Sequence, residues 1–153
     1  MKSTPTRGVK QTLKPNAYKQ WEGIRSQMTE AIVEKLDVYR RAYALALAVH
    51  KESLGFPEIE RFVLADQMRR ASRSICANLA EGYSRQRRHR EDWQRFLTLA
   101  IGSADEMQVW CAFARDLGYL DAALATAWRH SYEEIAKMTV GLGRVWAAPK
   151  RRL

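Results

Sequence analysis

Turn-forming residues are scarce in this chain, with four prolines and eight glycines in 153 residues. A β-sandwich or barrel needs more turns than that composition supplies. Cysteine is scarcer still. Cys76 and Cys111 are the two, neither has a CxxC partner, and both sit in apolar helical patterns, so buried free thiols are expected rather than a bridge. No apolar run approaches the roughly 18 residues that a membrane span requires. No apolar signal core follows the basic start MKSTPTRGVKQ. A cytoplasmic protein without membrane association is expected. Catalytic signatures are missing too. His50, His89 and His130 fall in separate parts of the chain, and there is no HExxH, no ExxH pair and no glycine-rich phosphate loop. A metal site built from Glu60, Glu81 and Glu106 lacks a histidine to complete it. The expectation is a non-enzyme with no cofactor, no metal and no catalytic residue. A nuclease using His89 beside neighbouring arginines ranks last, because nothing supplies a second acid or base.

What the chain has is apolar and basic. Hydrophobic residues make up 46%, enough for one domain to bury a core without disulfides. Lys and Arg number 26 against 17 Asp and Glu, a net charge of +9. A field of that sign attracts phosphates, and equally an acidic membrane or an acidic protein.

The first 28 residues contain Pro5, Gly8, Pro15 and Gly23 and read as an irregular basic arm, in which Tyr18, Trp21 and Ile24 form a short docking patch. Residues 29–147 read as one helical domain and 148–153 as a short basic tail. Within the domain, Asp37 is expected to cap a first helix that places Val38, Ala42, Leu45 and Val49 on one face. Gly55-Phe56-Pro57 stops it, with Gly55 suited to a left-handed cap. A second helix is expected from Glu58 to Glu81, with Gly82 as its stop and Leu64, Met68, Ala71, Ile75 and Leu79 inward. A third runs from near Arg87 to Leu117 and ends at Gly118-Tyr119. A fourth runs from the cap Asp121 to about Trp146, with Leu124, Trp128, Tyr132, Ile135, Met138, Leu142 and Val145 as its stripe. Gly141 and Gly143 suggest fraying or close packing near its end. Short connections between long helices predict an all-α, antiparallel, up-down-up-down four-helix bundle.

Three groups of residues exceed what a core needs. Gln67, Ser74, Asn78 and Glu81 recur along one line of the second helix, and a polar line beside an apolar one predicts an interhelical hydrogen-bond network. Arg69, Arg70 and Arg73 lie on that helix, and Arg85, Arg87, Arg88 and Arg90 crowd the junction into the third. Such a run repels itself unless anions or nearby Glu91 and Asp92 relieve it, and arginine forks well onto phosphate oxygens. The third helix has two largely apolar lines. One is Trp93, Leu97, Ala100, Ala104, Met107, Cys111 and Ala114. The other carries Phe96, Leu99, Trp110 and Phe113, interrupted by Ser103 and Glu106. One line fills a core, and the other is a candidate subunit interface.

The segment FPEIERFVLADQMRRASRSICANLAEGY resembles the family of small four-helix-bundle proteins encoded by intervening sequences in bacterial large-subunit ribosomal RNA genes. The family's pattern matches Phe56, Pro57, Glu60, Leu64 and Gln67, then Arg69, Arg70, Ala71, Ser74 and Ile75, then Asn78, Ala80, Glu81 and Gly82. Gly102, Ser103, Glu106 and the LGYL of Leu117 to Leu120 extend the match, which spans about Leu36 to Val145. The chain departs from the family at Tyr39, where Trp is frequent, and at Tyr83-Ser84-Arg85, where Gly-Arg is frequent; its arm is also longer. The resemblance implies homopentamers around a central channel. It extends in fold to accessory proteins of diversity-generating retroelements, which bind a reverse transcriptase and its template RNA. It implies no activity. The expected function is therefore a non-enzymatic homo-oligomer that binds RNA or other nucleic acid through its arginines. The alternative is a protein scaffold, or an accessory subunit of a reverse-transcriptase complex, that recruits another protein through the arm.

Overall fold

The computed structural model describes residues 36–85 and 89–147, with side chains as far as Val145. The arm with Tyr18, Trp21 and Ile24, residues 29–35 of the expected domain, Arg87, Arg88 and the basic tail lie outside the described residues. Four α-helices follow one another: α1 Asp37–Ser53, α2 Leu64–Arg85, α3 Arg90–Asp116 and α4 Ala122–Ala147, with a 3-10 turn at Glu58–Glu60. No strand occurs among the described residues.

Helix α3 is shared by its neighbours. Its inner stripe of Trp93, Leu97, Ala100, Ala104, Met107, Cys111 and Ala114 is the set expected from spacing, and every member is buried. Both α2 and α4 pack extensively along α3, while α1 packs mainly on α2 and touches α4 less. On α2 the expected Leu64, Met68, Ala71, Ile75 and Leu79 are all buried, so the four helices enclose one continuous core. Burying side chains of this size contributes about 1.5–3 kcal/mol each before entropy is counted.

Four expectations change. Asp37 does not cap α1: Leu36 holds the cap position, and Asp37 begins the helix with its carboxylate bound by Arg40 at 3.2 Å and Arg41 at 3.0 Å. Gly55 is not left-handed; α1 ends instead through tight i→i+3 backbone bonds at Leu54, Gly55 and Phe56. The second helix does not run unbroken from Glu58. The chain makes its 3-10 turn there, and Glu60 Oε2 then accepts the Leu64 N–H at 3.2 Å at the start of α2. Gly82 is no stop, since α2 continues to Arg85. Its missing side chain instead lets α3 approach, because a Cβ there would lie 2.8 Å from the Trp93 ring and 2.9 Å from Phe96 Cβ.

The stripe of α4 also sits differently. Ala125, Trp128, Tyr132, Ile135, Thr139 and Gly143 point inward, Leu124, Met138 and Leu142 are half-buried, and Val145 is 73% exposed. Hydrophobicity alone favoured Met138 and Leu142. The packed line instead passes through Thr139, whose hydroxyl donates to the Ile135 carbonyl at 2.7 Å. It then reaches Gly143, whose carbonyl accepts from Gln94 at 3.1 Å. On α1, likewise, Tyr39 and Ala46 are buried while Leu45 is half-buried. The remaining caps match expectation. Asp121 Oδ2 accepts the N–H groups of Ala123 and Leu124 at 3.0 and 3.2 Å. Gly118, at φ 77°, ends α3 while Tyr119 N–H bonds the Ala114 carbonyl, an end that favours glycine.

Gly82 and Gly102 should respond oppositely to alanine. At Gly82 the added methyl overpacks Trp93 and Phe96, and the expected loss is about 1 kcal/mol or more despite better helix propensity. At Gly102 nothing lies within 4 Å, so Gly102→Ala should gain up to about 1 kcal/mol. Denaturant unfolding of both variants checks the pair; equal effects would contradict this account of the α2–α3 approach.

Candidate nucleic-acid interface

The candidate arginines among the described residues do not form one surface. Arg69 and Arg85 are sixteen residues apart on the same helix, about 24 Å at 1.5 Å per residue. Arg69 is turned to structural use. Its guanidinium donates to the Ser53 hydroxyl at 3.2 Å and to the Arg61 carbonyl at 2.7 Å, joining the end of α1 to the turn before α2. Arg73 meets His50 Nδ1 at 3.1 Å. Arg70 is exposed, with Asp66 at 3.9 Å.

At the other end of α2, Arg85 bonds Glu81 at 2.6 Å and Asp92 at 3.5 Å, and its guanidinium lies 5.4 Å from the Phe96 ring centre. The hydrogen bond to Glu81, and then its charge, raise the Arg85 pKa above its usual value. Arg90 opens α3 and lines a cleft of about 380 Å³ between α3 and α4, with Arg144 on the opposite wall. Spacing did not single out Arg144, which stands alone among apolar residues in the last turns of α4.

On the polar line, Ser74 is the residue that reaches another helix. Its hydroxyl accepts from Ser103 on α3 at 3.0 Å and from Asn78 at 3.0 Å, and Asn78 also donates to the Ser74 carbonyl at 2.8 Å. Glu81 is occupied by Arg85 and Gln67 is exposed. The glutamates weighed as a metal set lie apart in use. Glu60 accepts from the Tyr119 hydroxyl at 3.2 Å, and Glu106 accepts from the Trp110 indole at 2.9 Å. Among the described residues no group of three or more His, Cys, Asp or Glu is placed to hold a metal ion. None of the described helices is long and apolar enough to cross a membrane.

The outer line of α3 is partly open. Leu99 is 45% and Phe113 54% exposed, while Trp110 and Phe96 are half-buried. Trp110 and Phe113 stack at a tilt with ring centres 6.0 Å apart.

Both thiols are free, and burial pushes Cys76 up to about 11 and Cys111 up to about 12. Since the thiolate is the reactive form, a disulfide reagent at pH 8 should label neither cysteine at a rate comparable to a free thiol. Labelling should become fast only in denaturant. Arg69→Ala gives a second check. Losing two hydrogen bonds from a charged donor should cost about 1–2 kcal/mol of stability and leave nucleic-acid affinity unchanged within about twofold, an outcome that would separate Arg69 from the phosphate-binding candidates.

A model of the 23S rRNA-intervening sequence protein family matches residues 34–141. The fold is similar to a crystal structure of a protein of unknown function from the S23 ribosomal protein family of Bacteroides thetaiotaomicron VPI-5482. The two share 20% sequence identity at a TM-score of 0.63, over 70% of this chain and 95% of that one. No curated protein matches the chain significantly. The family match covers α1 to α3 and most of α4, including Ser74, Asn78, Gly82 and Ser103. The chain belongs to the 23S rRNA-intervening sequence protein family.

Proposed function

We propose that this protein is a non-enzymatic, cytoplasmic homo-oligomer of up-down-up-down bundles that binds nucleic acid, RNA foremost. The observation that carries the reading is the net charge of +9, with arginines gathered where α2 passes into α3. Phosphate contacts from such residues set affinity and position without reading bases. A family named for intervening sequences of 23S rRNA is consistent with an RNA ligand. The antiparallel order is supported by the contact pairs: Gly82 meets Trp93 and Ser74 meets Ser103, Gln94 meets Gly143, and His50 meets Arg73.

Self-association is supported by the outer line of α3, where Leu99, Trp110 and Phe113 gain cover from a neighbouring subunit. A heterologous contact closes into a ring where its rotation allows, and the number five comes from the family resemblance. A scaffold role is the second reading. It is favoured by a separate apolar cluster at the α1–α2 turn, where Ile59 is 79% and Phe62 82% exposed. Exposed aromatic and aliphatic side chains of this kind anchor protein contacts.

Binding to a labelled structured RNA should tighten at low salt. It should weaken at least about tenfold in the combined Arg85, Arg87, Arg88 and Arg90→Ala variant, as four lost phosphate contacts imply. Absence of binding at every salt concentration, with the assembly intact, rejects the reading. Solution mass should lie near five times 17.7 kDa. Trp110→Asp should reduce it to the monomer while helical signal persists; outright unfolding would assign Trp110 to the core of its own bundle.

A further inference from the structure

The face of α3 turned from the core carries a pattern besides its aromatic side chains. Leu99, Gly102, Glu106 and Val109 follow one another there at steps of three and four. Leu99 and Val109 are exposed apolar residues. Between Leu99 and Glu106, Gly102 has nothing within 4 Å of the place a Cβ would take, so another surface can come close to the helix backbone. Glu106 is exposed, and among the described residues it pairs with no cation. One of its carboxylate oxygens accepts from the Trp110 indole, and the second is open.

A groove of complementary character lies between α1 and α2. It holds about 500 Å³, and its apolar walls include Tyr43 and Leu47 from α1 and Ala77 and Ala80 from α2. Tyr43 and Leu47 are each almost half exposed, so a single bundle leaves them uncovered. At one end Arg73 meets His50, and among the described residues no carboxylate lines the groove. The groove and the α3 face also lie at matching depth along the bundle. The Ser74–Ser103 bond marks one level on α2 and α3, and Gly82 beside Trp93 gives the two helices opposite senses. From that level Glu106 lies three residues one way and Arg73 one residue the same way, a difference of about 3 Å at 1.5 Å per residue. Leu99 lies four residues the other way and Ala77 three, a difference of about 1.5 Å. Copies standing side by side in a ring keep equal depths, so acid meets base and Leu99 meets the apolar walls in the same register.

We propose that the groove between α1 and α2 receives the Leu99–Glu106 face of α3 from a second copy of this chain. Glu106 of one copy pairs with Arg73 of the next, Leu99 seats against Tyr43, Leu47 and Ala77, and Gly102 lets the helix approach closely. The inference rests on the self-association reading above and supplies the surface that α3 meets. Because the two surfaces differ, the contact is heterologous, and every copy gives one face and receives another. A small acidic ligand in the groove fits less well. It would pair with Arg73 but leave the α3 face open, whereas a second copy covers both surfaces at once. A charge pair at such a contact fixes register and rejects mismatched partners.

The test measures the solution mass of the full chain across a concentration series, with circular dichroism as a check on folding. Arg73→Glu and Glu106→Arg each bring like charges together, and each should weaken self-association at least about tenfold. Both changes in one chain exchange the charges at every contact and should restore the parent's mass. Ala77→Gln blocks the groove and Gly102→Gln blocks the α3 face; both positions are exposed, so the helical signal should persist. Each of these variants alone should be monomeric. Mixed, they should form a dimer and nothing larger, because one chain keeps its α3 face and the other keeps its groove. If Arg73→Glu and Ala77→Gln assemble as the parent does, the groove is not the receiver, while self-association stands. Failure of the charge exchange to restore assembly, or of the mixture to form a dimer, overturns the pairing of these two surfaces. If the parent stays monomeric at every concentration, both ideas fall together.

Discussion

Seven side chains of α3, from Trp93 to Ala114, are at most 2% exposed, and both α2 and α4 lean on them. Three of the seven are alanines, which bring neighbouring backbones near, and Trp93 fills the wider space at one end. Gly82 belongs to the same constraint from the other side, since α2 can lie over Trp93 and Phe96 only where it has no Cβ. Interiors of this density tolerate little change in volume. The Ser74–Ser103 bond, the Gln94–Gly143 bond and the α4 stripe all depend on α3 keeping its rotation about its own axis.

That stripe was fully legible in the sequence because its positions are occupied by residues whose hydrophobicity and spacing agree. The α4 stripe was less so. Thr139 and Gly143 occupy inward positions there, and their fitness for burial comes from a backbone hydrogen bond and from a facing glutamine, neither of which a hydrophobic pattern records. The ends of helices divided in the same way. Asp121 and Gly118 act as local chemistry dictates, whereas Asp37 is drawn away by two arginines one turn on. Gly82 resembled a stop by composition, and only the position of Trp93 on another helix explains it. For the candidate site, the clustering of arginines was readable, but their roles were not. Arg69 and Arg85 look alike in a sequence; one joins α1 to the α2 turn, and the other is held by two carboxylates beside an aromatic ring.

Charge balance and charge placement are also different quantities. A chain with a formal charge of +9 suggests a basic surface throughout, yet the described residues carry fourteen charges of each sign, and the excess falls in the rest of the sequence. Family membership defines the bundle over residues 34–141, and much of the excess charge falls outside that span.

Glu60 has a consequence for how the molecule opens. One of its carboxylate oxygens receives the first amide of α2 and the other the Tyr119 hydroxyl, while Phe56 packs against the Tyr119 ring at 5.7 Å. Two interhelical connections are thereby stapled to each other at one end, so α1, α2, α3 and α4 are all restrained there through a single junction. Away from that junction, Arg85 pairs with Asp92 between α2 and α3, and Gln94 bonds the Gly143 carbonyl between α3 and α4. Amide protons near Met68 and Met107, both 0% exposed, should therefore be among the slowest to exchange.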